Sequence, residues 1–269
     1  MTAGAETLGP RLGAGREAEV YEWGAGAVVK LYRPGFGGHR AEAAALTALA
    51  DHGVAPALID VVELDGRTGL VLERLSGVDM LTMLRRQPWR VLRLGRTLAT
   101  AQLAVHRVPA PADLPDLRRI LAARIEDAAL PPRLRSFASS VLDELPDGNR
   151  LCHGDYHPGN VLVAADRIAV IDWTNAARGV AEADHARTLL LLWWADPDSD
   201  TPLVSRGVIA AGRSALARRY ARVYRRDGHP PSTQLESWLA VHVAARLSEG
   251  IDNERPKLLG LLDRALYSG

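Results

Sequence analysis

Cysteine is almost missing from this sequence, with Cys152 the only one in 269 residues. A single thiol excludes an intrachain disulfide framework and any zinc site built on cysteines, and it points to a reducing compartment. Because Leu151-Cys152 closes an apolar approach, this thiol reads as a small buried hydrophobe and not as a nucleophile. Lysine is nearly as scarce: of 33 basic residues only Lys30 and Lys257 are lysine, so each calls for a reason. No window approaches the roughly 20 consecutive apolar residues of a membrane span. Residues 1–13 have neither the basic start nor the apolar stretch of a secretory leader, and the expected location is cytoplasmic. An excess of charge of one sign is also lacking. The net charge is +1, divided as −3 over residues 1–75, +4 over 76–150 and 0 thereafter. That balance gives no ground for a nucleic-acid or anionic-membrane partner, and the arginines near 85–96 and 213–226 read as solvated helix faces.

What is present is concentrated in residues 151–173, LCHGDYHPGNVLVAADRIAVIDW, which hold His153, Asp155, His157, Asn160 and Asp172. Val161 to Val163 and Ile168 to Ile171 alternate around the polar turn Ala165-Asp166-Arg167, the pattern of a short β-hairpin. Such a hairpin brings Asn160, just before its first strand, opposite Asp172, just after its second. Asp155 stands five residues before Asn160, in a Pro158-Gly159 loop that can bend over the same spot. Two carboxylates and an amide oxygen at one place are hard ligands, suited to magnesium carrying phosphate. The order base Asp, ligand Asn, ligand Asp also fits the kinase arrangement.

This segment resembles the aminoglycoside phosphotransferase family, the small-molecule branch of the kinase-like fold. The resemblance lies in His153-Gly154-Asp155, with Asn160 five residues on, followed by Ile171-Asp172-Trp173. It implies an α+β, two-lobed fold: an N-lobe over 1–75, with an antiparallel sheet and one helix, and a helical C-lobe over 76–269 carrying the catalytic hairpin. It further implies Asp155 as catalytic base and Asn160 and Asp172 as magnesium ligands. Two positions depart from the family pattern: Thr174 where an acidic residue is frequent, and Ala181 where proline is frequent.

Toward the N-terminus, residues 11–31 form two alternating runs joined by Gly24-Ala25-Gly26, which predicts a hairpin. Gly13 and Gly15 near its start would let backbone amides approach phosphate, and Val20 would cover a base, although Ala18 stands where a third glycine would complete Gly-x-Gly-x-x-Gly. Lys30 ends the second run among apolar residues, and a buried ammonium needs an anionic partner. In the following helix Glu42 lies four residues before Leu46 and seven before Leu49, on or beside the apolar face. Lys30 and Glu42 therefore satisfy each other. The resemblance places Lys30 on the nucleotide phosphates, steadied by Glu42, and makes Glu73 to Gly77 the hinge whose backbone, at Glu73 and Leu75, reads the base of ATP or GTP. Pro34 to Gly38 form a flexible connection.

From Val78 onward the pattern is helical apart from the hairpin. Only eleven residues separate Asp172 from Asp184, with a single hydroxyl, Thr174, too few to seat a peptide. Gly154 and His157 replace the arginine and lysine of protein kinases, so the expected acceptor is a small molecule. Asp184 reads as a helix cap or a brace for the catalytic loop, and His106, His185 and Arg187 as structural. Two acidic groups, Asp196, Asp198 and Asp200 and then Glu249, Asp252 and Glu254, suggest an acceptor carrying positive charge. The expected function is ATP-dependent phosphoryl transfer to a hydroxyl of an aminoglycoside-like compound, sugar or amino alcohol. Alternatives are a catalytically inactive nucleotide-binding module and a metal-dependent hydrolase on His153, Asp155 and His157.

Overall fold

Alternating apolar residues in the N-terminal third build one antiparallel sheet, in a computed structural model that describes residues 8–164, 167–194, 203–228 and 234–268. Its strands are β1 (Arg11–Ala14), β2 (Ala18–Trp23), β3 (Ala27–Tyr32), β4 (Leu58–Leu64) and β5 (Arg67–Glu73), in the order β1-β2-β3-β5-β4. Residues 11–31 thus hold three strands, not two, because Gly15 donates its N–H to the Ala18 carbonyl at 2.8 Å and turns the chain between β1 and β2. The β4–β5 turn is Asp65-Gly66, both left-handed (φ 49° and 72°), the two-residue hairpin whose twist matches its strands. Helix α1 (His39–Ala48) crosses one face, where Leu46 and Leu49 join Tyr32, Leu70 and Leu72 in the core. The other face keeps only a small cluster of Trp23, Val29 and Val71.

The remainder is helical as expected, with three corrections. Gly77–Asp79 forms a strand, β6, before α2 (Met80–Arg86), α3 (Val91–Val105), α4 (Leu117–Asp127) and α5 (Pro132–Glu144). Arg150–Cys152 forms β7, ahead of the expected hairpin β8 (Val161–Ala164) and β9 (Ile168–Val170), and Ala177–Gly179 forms β10. Strand β6 adds to the hairpin in the order β6-β8-β9, while β10 pairs with β7. Three-residue strands are too short to show a period of two, which is why the sequence pattern missed them. Asp79 ends β6 and caps α2, accepting the Thr82 N–H at 2.8 Å. Pro88 interrupts the long apolar run between α2 and α3, and Pro132 takes the first turn of α5, where its missing N–H has no cost.

Helices α6 (Ala181–Trp194), α7 (Leu203–Asp227), α8 (Leu235–Arg246) and α9 (Arg255–Ser268) complete the order. Helix α6 lies between two cores: Leu189 and Leu192 belong to the one shared with the N-terminal sheet, Ala183, Ala186 and Leu190 to the one built from α4, α5 and α8. A helix covered on both sides can carry polar groups only where something pairs them. Asp184, His185, Arg187 and Thr188 are those groups. None of the helices among the described residues is long and apolar enough to cross a membrane.

Gly77 owes its identity to close packing, since a Cβ there would stand 2.8 Å from the Val163 carbonyl oxygen. Gly77→Ala must push β6 off the hairpin, and urea denaturation should show a loss of about 1–3 kcal/mol, the usual cost of overpacking.

Candidate active site

Strand β3 delivers Lys30, and α1 delivers Glu42, 1% exposed, to meet it. The Lys30 ammonium lies 2.6 Å from Glu42 Oε2 and 2.8 Å from Asp172 Oδ1, at the exit of β9. Burial works against the charged lysine, but the two carboxylates outweigh it and hold its pKa above the ordinary value. Glu42 also accepts the Tyr32 hydroxyl and, through Oε1, the Trp173 N–H at 3.3 Å. Tyr32 was not singled out in the sequence, yet it stands two residues beyond Lys30 on the same face of β3. Asp172 has φ 63°, a left-handed conformation that aspartate tolerates better than most residues. Thr174, in place of the family's frequent acidic residue, donates its hydroxyl to Asp172 Oδ1 at 3.2 Å.

The hairpin pairs Val161 with Val170 and Val163 with Ile168, and the Ile171 N–H reaches the Asn160 carbonyl at 2.9 Å. Asn160 and Asp172 are thereby set at its open end. The Asn160 amide nitrogen donates to the Asp155 carbonyl at 2.9 Å, which leaves its oxygen as an acceptor. Burial pushes the Asp155 carboxyl upward, but His157, at 3.6 Å, Arg187, at 3.7 Å, and His153 overcome this and bring its pKa to about 2. It is ionised at neutral pH.

The loop carrying Asp155 is braced from behind. Gly154, at φ 78°, packs so closely that a Cβ would stand 2.4 Å from the Asn175 carbonyl oxygen. Its N–H donates to Asp184 Oδ1 at 2.8 Å, while Gln102 and His106 take Oδ2 at 3.0 and 2.9 Å. Burial raises the Asp184 carboxyl, and His106 together with the Gly154 N–H more than reverse this. Asp184 is thus the brace anticipated, and His106 belongs to the same buried network. His153 has both ring nitrogens engaged: Nε2 faces the Ile171 carbonyl at 3.0 Å, and Nδ1 accepts the Asp155 N–H at 3.2 Å. With no lone pair to spare it cannot serve as a metal ligand, and the hydrolase reading fails on that point.

The ten residues assigned from the sequence to base, nucleotide and metal roles line one cleft of about 640 Å³, while His153 and His157 do not. Gly13, Gly15 and Val20 form one wall, Lys30, Glu42 and Asp172 the depth, Glu73 and Leu75 the rim beside the β5 exit, and Asp155 and Asn160 the floor. The Glu73 side chain is engaged through Oε2 by Arg167 and by the Ala57 N–H. A second cavity of about 610 Å³, beside Pro115, Ile120 and Arg178, lies apart from these groups. Arg187 and Asn175 also belong near the site, and Arg187 was read as structural only. Its position three residues after Asp184, hence on one helix face, was the available signal. Of the two acidic groups, Asp196, Asp198 and Asp200 lie outside the described residues. In the other, Glu249 is taken by Arg187 at 2.7 Å and Arg246 at 2.9 Å, and Glu254 by Arg246 at 2.6 Å, so these two carboxylates already have cations.

A small antiparallel sheet with one helix, joined to a helical part that presents a catalytic hairpin, is the kinase-like fold. Within it, the chain belongs to the phosphotransferase enzyme family, whose model matches residues 9–226. A thermostable mutant of aminoglycoside phosphotransferase APH(4)-Ia, in ternary complex with AMP-PNP and hygromycin B, is 18% identical. It superposes with a TM-score of 0.66 over 98% of this chain and 94% of that one. A choline/ethanolamine kinase family protein from Mesorhizobium loti is 16% identical, with a TM-score of 0.61 over 98% and 88% of the two chains. Amicoumacin kinase hAmiN, in complex with AMP-PNP, Ca2+ and Ami, is also 16% identical, with a TM-score of 0.63 over 94% and 86%. At these identities the likeness establishes the fold. A search of curated protein sequences finds no match.

Asp184→Ala removes the acceptor of three donors, and each buried donor left unpaired costs about 1–3 kcal/mol. Thermal and urea denaturation should both show a destabilisation of at least about 2 kcal/mol, without any ligand added.

Proposed function

We propose that the chain transfers the γ-phosphoryl group of ATP to a hydroxyl of a small molecule. The observation that carries this reading is the convergence of the Lys30, Glu42 and Asp172 charge triad with Asp155 and Asn160 on one cleft. Lys30 offers phosphate oxygens an ammonium already oriented by Glu42. The walls at Val20, Val28 and Leu72 are apolar and can cover a base. Asp155, ionised and with a third of its side chain exposed, orients the acceptor hydroxyl and takes its proton. Little covalent chemistry is asked of the protein, so catalysis is mostly positioning and charge neutralisation.

Asn160 and Asp172 are the residues that would hold magnesium. The donor set is all oxygen, and among the described residues no three His, Cys, Asp or Glu side chains form a cage of their own. Two protein ligands suit an ion that keeps waters and phosphate in its shell. When bound, magnesium would neutralise phosphate charge during transfer. The short segment between Asp172 and Asp184 favours a small acceptor, and hygromycin B and Ami in the neighbouring structures are small molecules as well.

The test is release of ADP and a new phosphate ester signal in phosphorus NMR when magnesium-ATP meets a panel of hydroxyl compounds. Absence of turnover with intact nucleotide binding would favour the inactive-module reading. Asp155→Asn should leave magnesium-AMP-PNP affinity nearly unchanged while kcat falls roughly 10²- to 10⁴-fold. Asp172→Ala should instead weaken magnesium-AMP-PNP binding in calorimetry, and an unchanged affinity would remove Asp172 from the metal site. A Cβ at Gly13 would meet nothing within 4 Å. Gly13→Val should therefore spare folding stability to within about 0.5 kcal/mol and still weaken nucleotide binding, because only a ligand would feel the added bulk.

A further inference from the structure

The cleft is rich in carboxylates for a place that must receive an anion. Five carboxylate side chains line it against three cations, Arg16, Lys30 and Arg74. Two of those cations are already matched: Lys30 lies between Glu42 and Asp172, and Arg74 is held by Glu22 at 2.9 Å. Arg16 alone of the three forms no ion pair and no side-chain hydrogen bond among the described residues.

Its position follows from the turn that carries it. The Gly15 N–H donates to the Ala18 carbonyl at 2.8 Å, so Arg16 and Glu17 occupy the tip between β1 and β2. A Cβ at Gly13 would meet nothing within 4 Å, and one at Gly15 only the Ala18 carbonyl oxygen at 3.7 Å, which leaves space beside the turn. Glu17 does not consume the arginine next to it. Its Oε2 is turned toward the start of α1, 3.3 Å from where a Cβ on Gly38 would stand. Burial and the Asp172 charge raise the Glu17 carboxyl, and Lys30 and Arg16 offset this only in part.

We propose that Arg16 is a phosphate-binding residue, whose guanidinium meets the terminal phosphates of the nucleotide from the β1–β2 turn. The proposal rests on the phosphotransferase reading of the same cleft. A magnesium triphosphate is still an anion, and Lys30 comes to it already matched by two carboxylates. The glycines at 13 and 15 let backbone N–H groups approach phosphate, but those groups are neutral. Arg16 adds a positive charge with no carboxylate of its own, and its planar fork can take two phosphate oxygens at once.

Binding reads this without turnover and without a known acceptor. The parent chain and its Arg16 variants are titrated calorimetrically with adenosine, AMP, magnesium-ADP and magnesium-AMP-PNP. Arg16→Gln should weaken magnesium-AMP-PNP about tenfold, the scale of one hydrogen bond to a charged group, and leave adenosine and AMP unchanged. Arg16→Lys should restore part of the loss, and added sodium chloride should narrow the gap between parent and Arg16→Gln, because an exposed contact is screened. Both variants should unfold at the parent's temperature, since an exposed turn tip carries little of the fold. The proposal is overturned if Arg16→Gln binds magnesium-AMP-PNP as the parent does, or if adenosine or AMP weakens by the same factor. Either result leaves the phosphotransferase reading standing. A parent chain that binds none of the four ligands overturns both. Arg16-dependent binding with no ADP released from ATP across the hydroxyl panel would sink the phosphotransferase reading alone.

Discussion

The Lys30 ammonium is the constraint on which the site depends. It sits between Glu42 and Asp172, 142 residues from the latter in sequence, and so ties a strand, a helix and the end of the β8–β9 hairpin into one arrangement. A lysine this covered must be paired, and here one partner belongs to the sheet side and the other to the hairpin. The pairing is not a strong source of net stability, since desolvating three charges offsets much of their attraction. Its value is geometric: Glu42 cannot move without disturbing Tyr32 and the Trp173 backbone, and Asp172 is fixed in turn by Thr174.

The loop that carries Asp155 is held by a different principle. Its backbone is pinned by hydrogen bonds to groups that do no chemistry: the Gly154 N–H by Asp184, the Asp155 N–H by His153. Asp155 is therefore presented by a rigid turn whose supports are buried, while its own carboxylate stays at the cleft. The cost is a polar network inside the core. It is tolerated because Gln102, His106, Tyr220 and Tyr224 pair with one another or with Asp184.

Much of this was legible in the sequence wherever a local rule applied. Strand alternation gave the hairpin and its open end, and the need of a buried ammonium for an anion joined Lys30 to Glu42. The motif around Asp155 then identified the family. Strands β6, β7 and β10 were invisible because three residues show no period, and because Gly77 and Gly179 are there for close approach to a neighbour, not for strand propensity. The acidic loop was misjudged for the opposite reason. Glu249 and Glu254 looked available for an ammonium, but a partner supplied by Arg187, 62 residues away, has no local signature. Arg246, three residues before Glu249, was the visible warning.

The scarcity of lysine has a practical side. With two side-chain amines in the whole chain, a reagent that acylates lysine has two destinations, the exposed Lys257 on α9 and Lys30 inside the cleft. The first marks the surface, and the second is reachable only through the space a nucleotide would fill. Peptide mass spectrometry of the treated chain would then show acylation at Lys257 alone or at Lys30 as well, whatever the α-amino group does, so that the protein carries a built-in occupancy reporter that needs neither a known acceptor nor an introduced label.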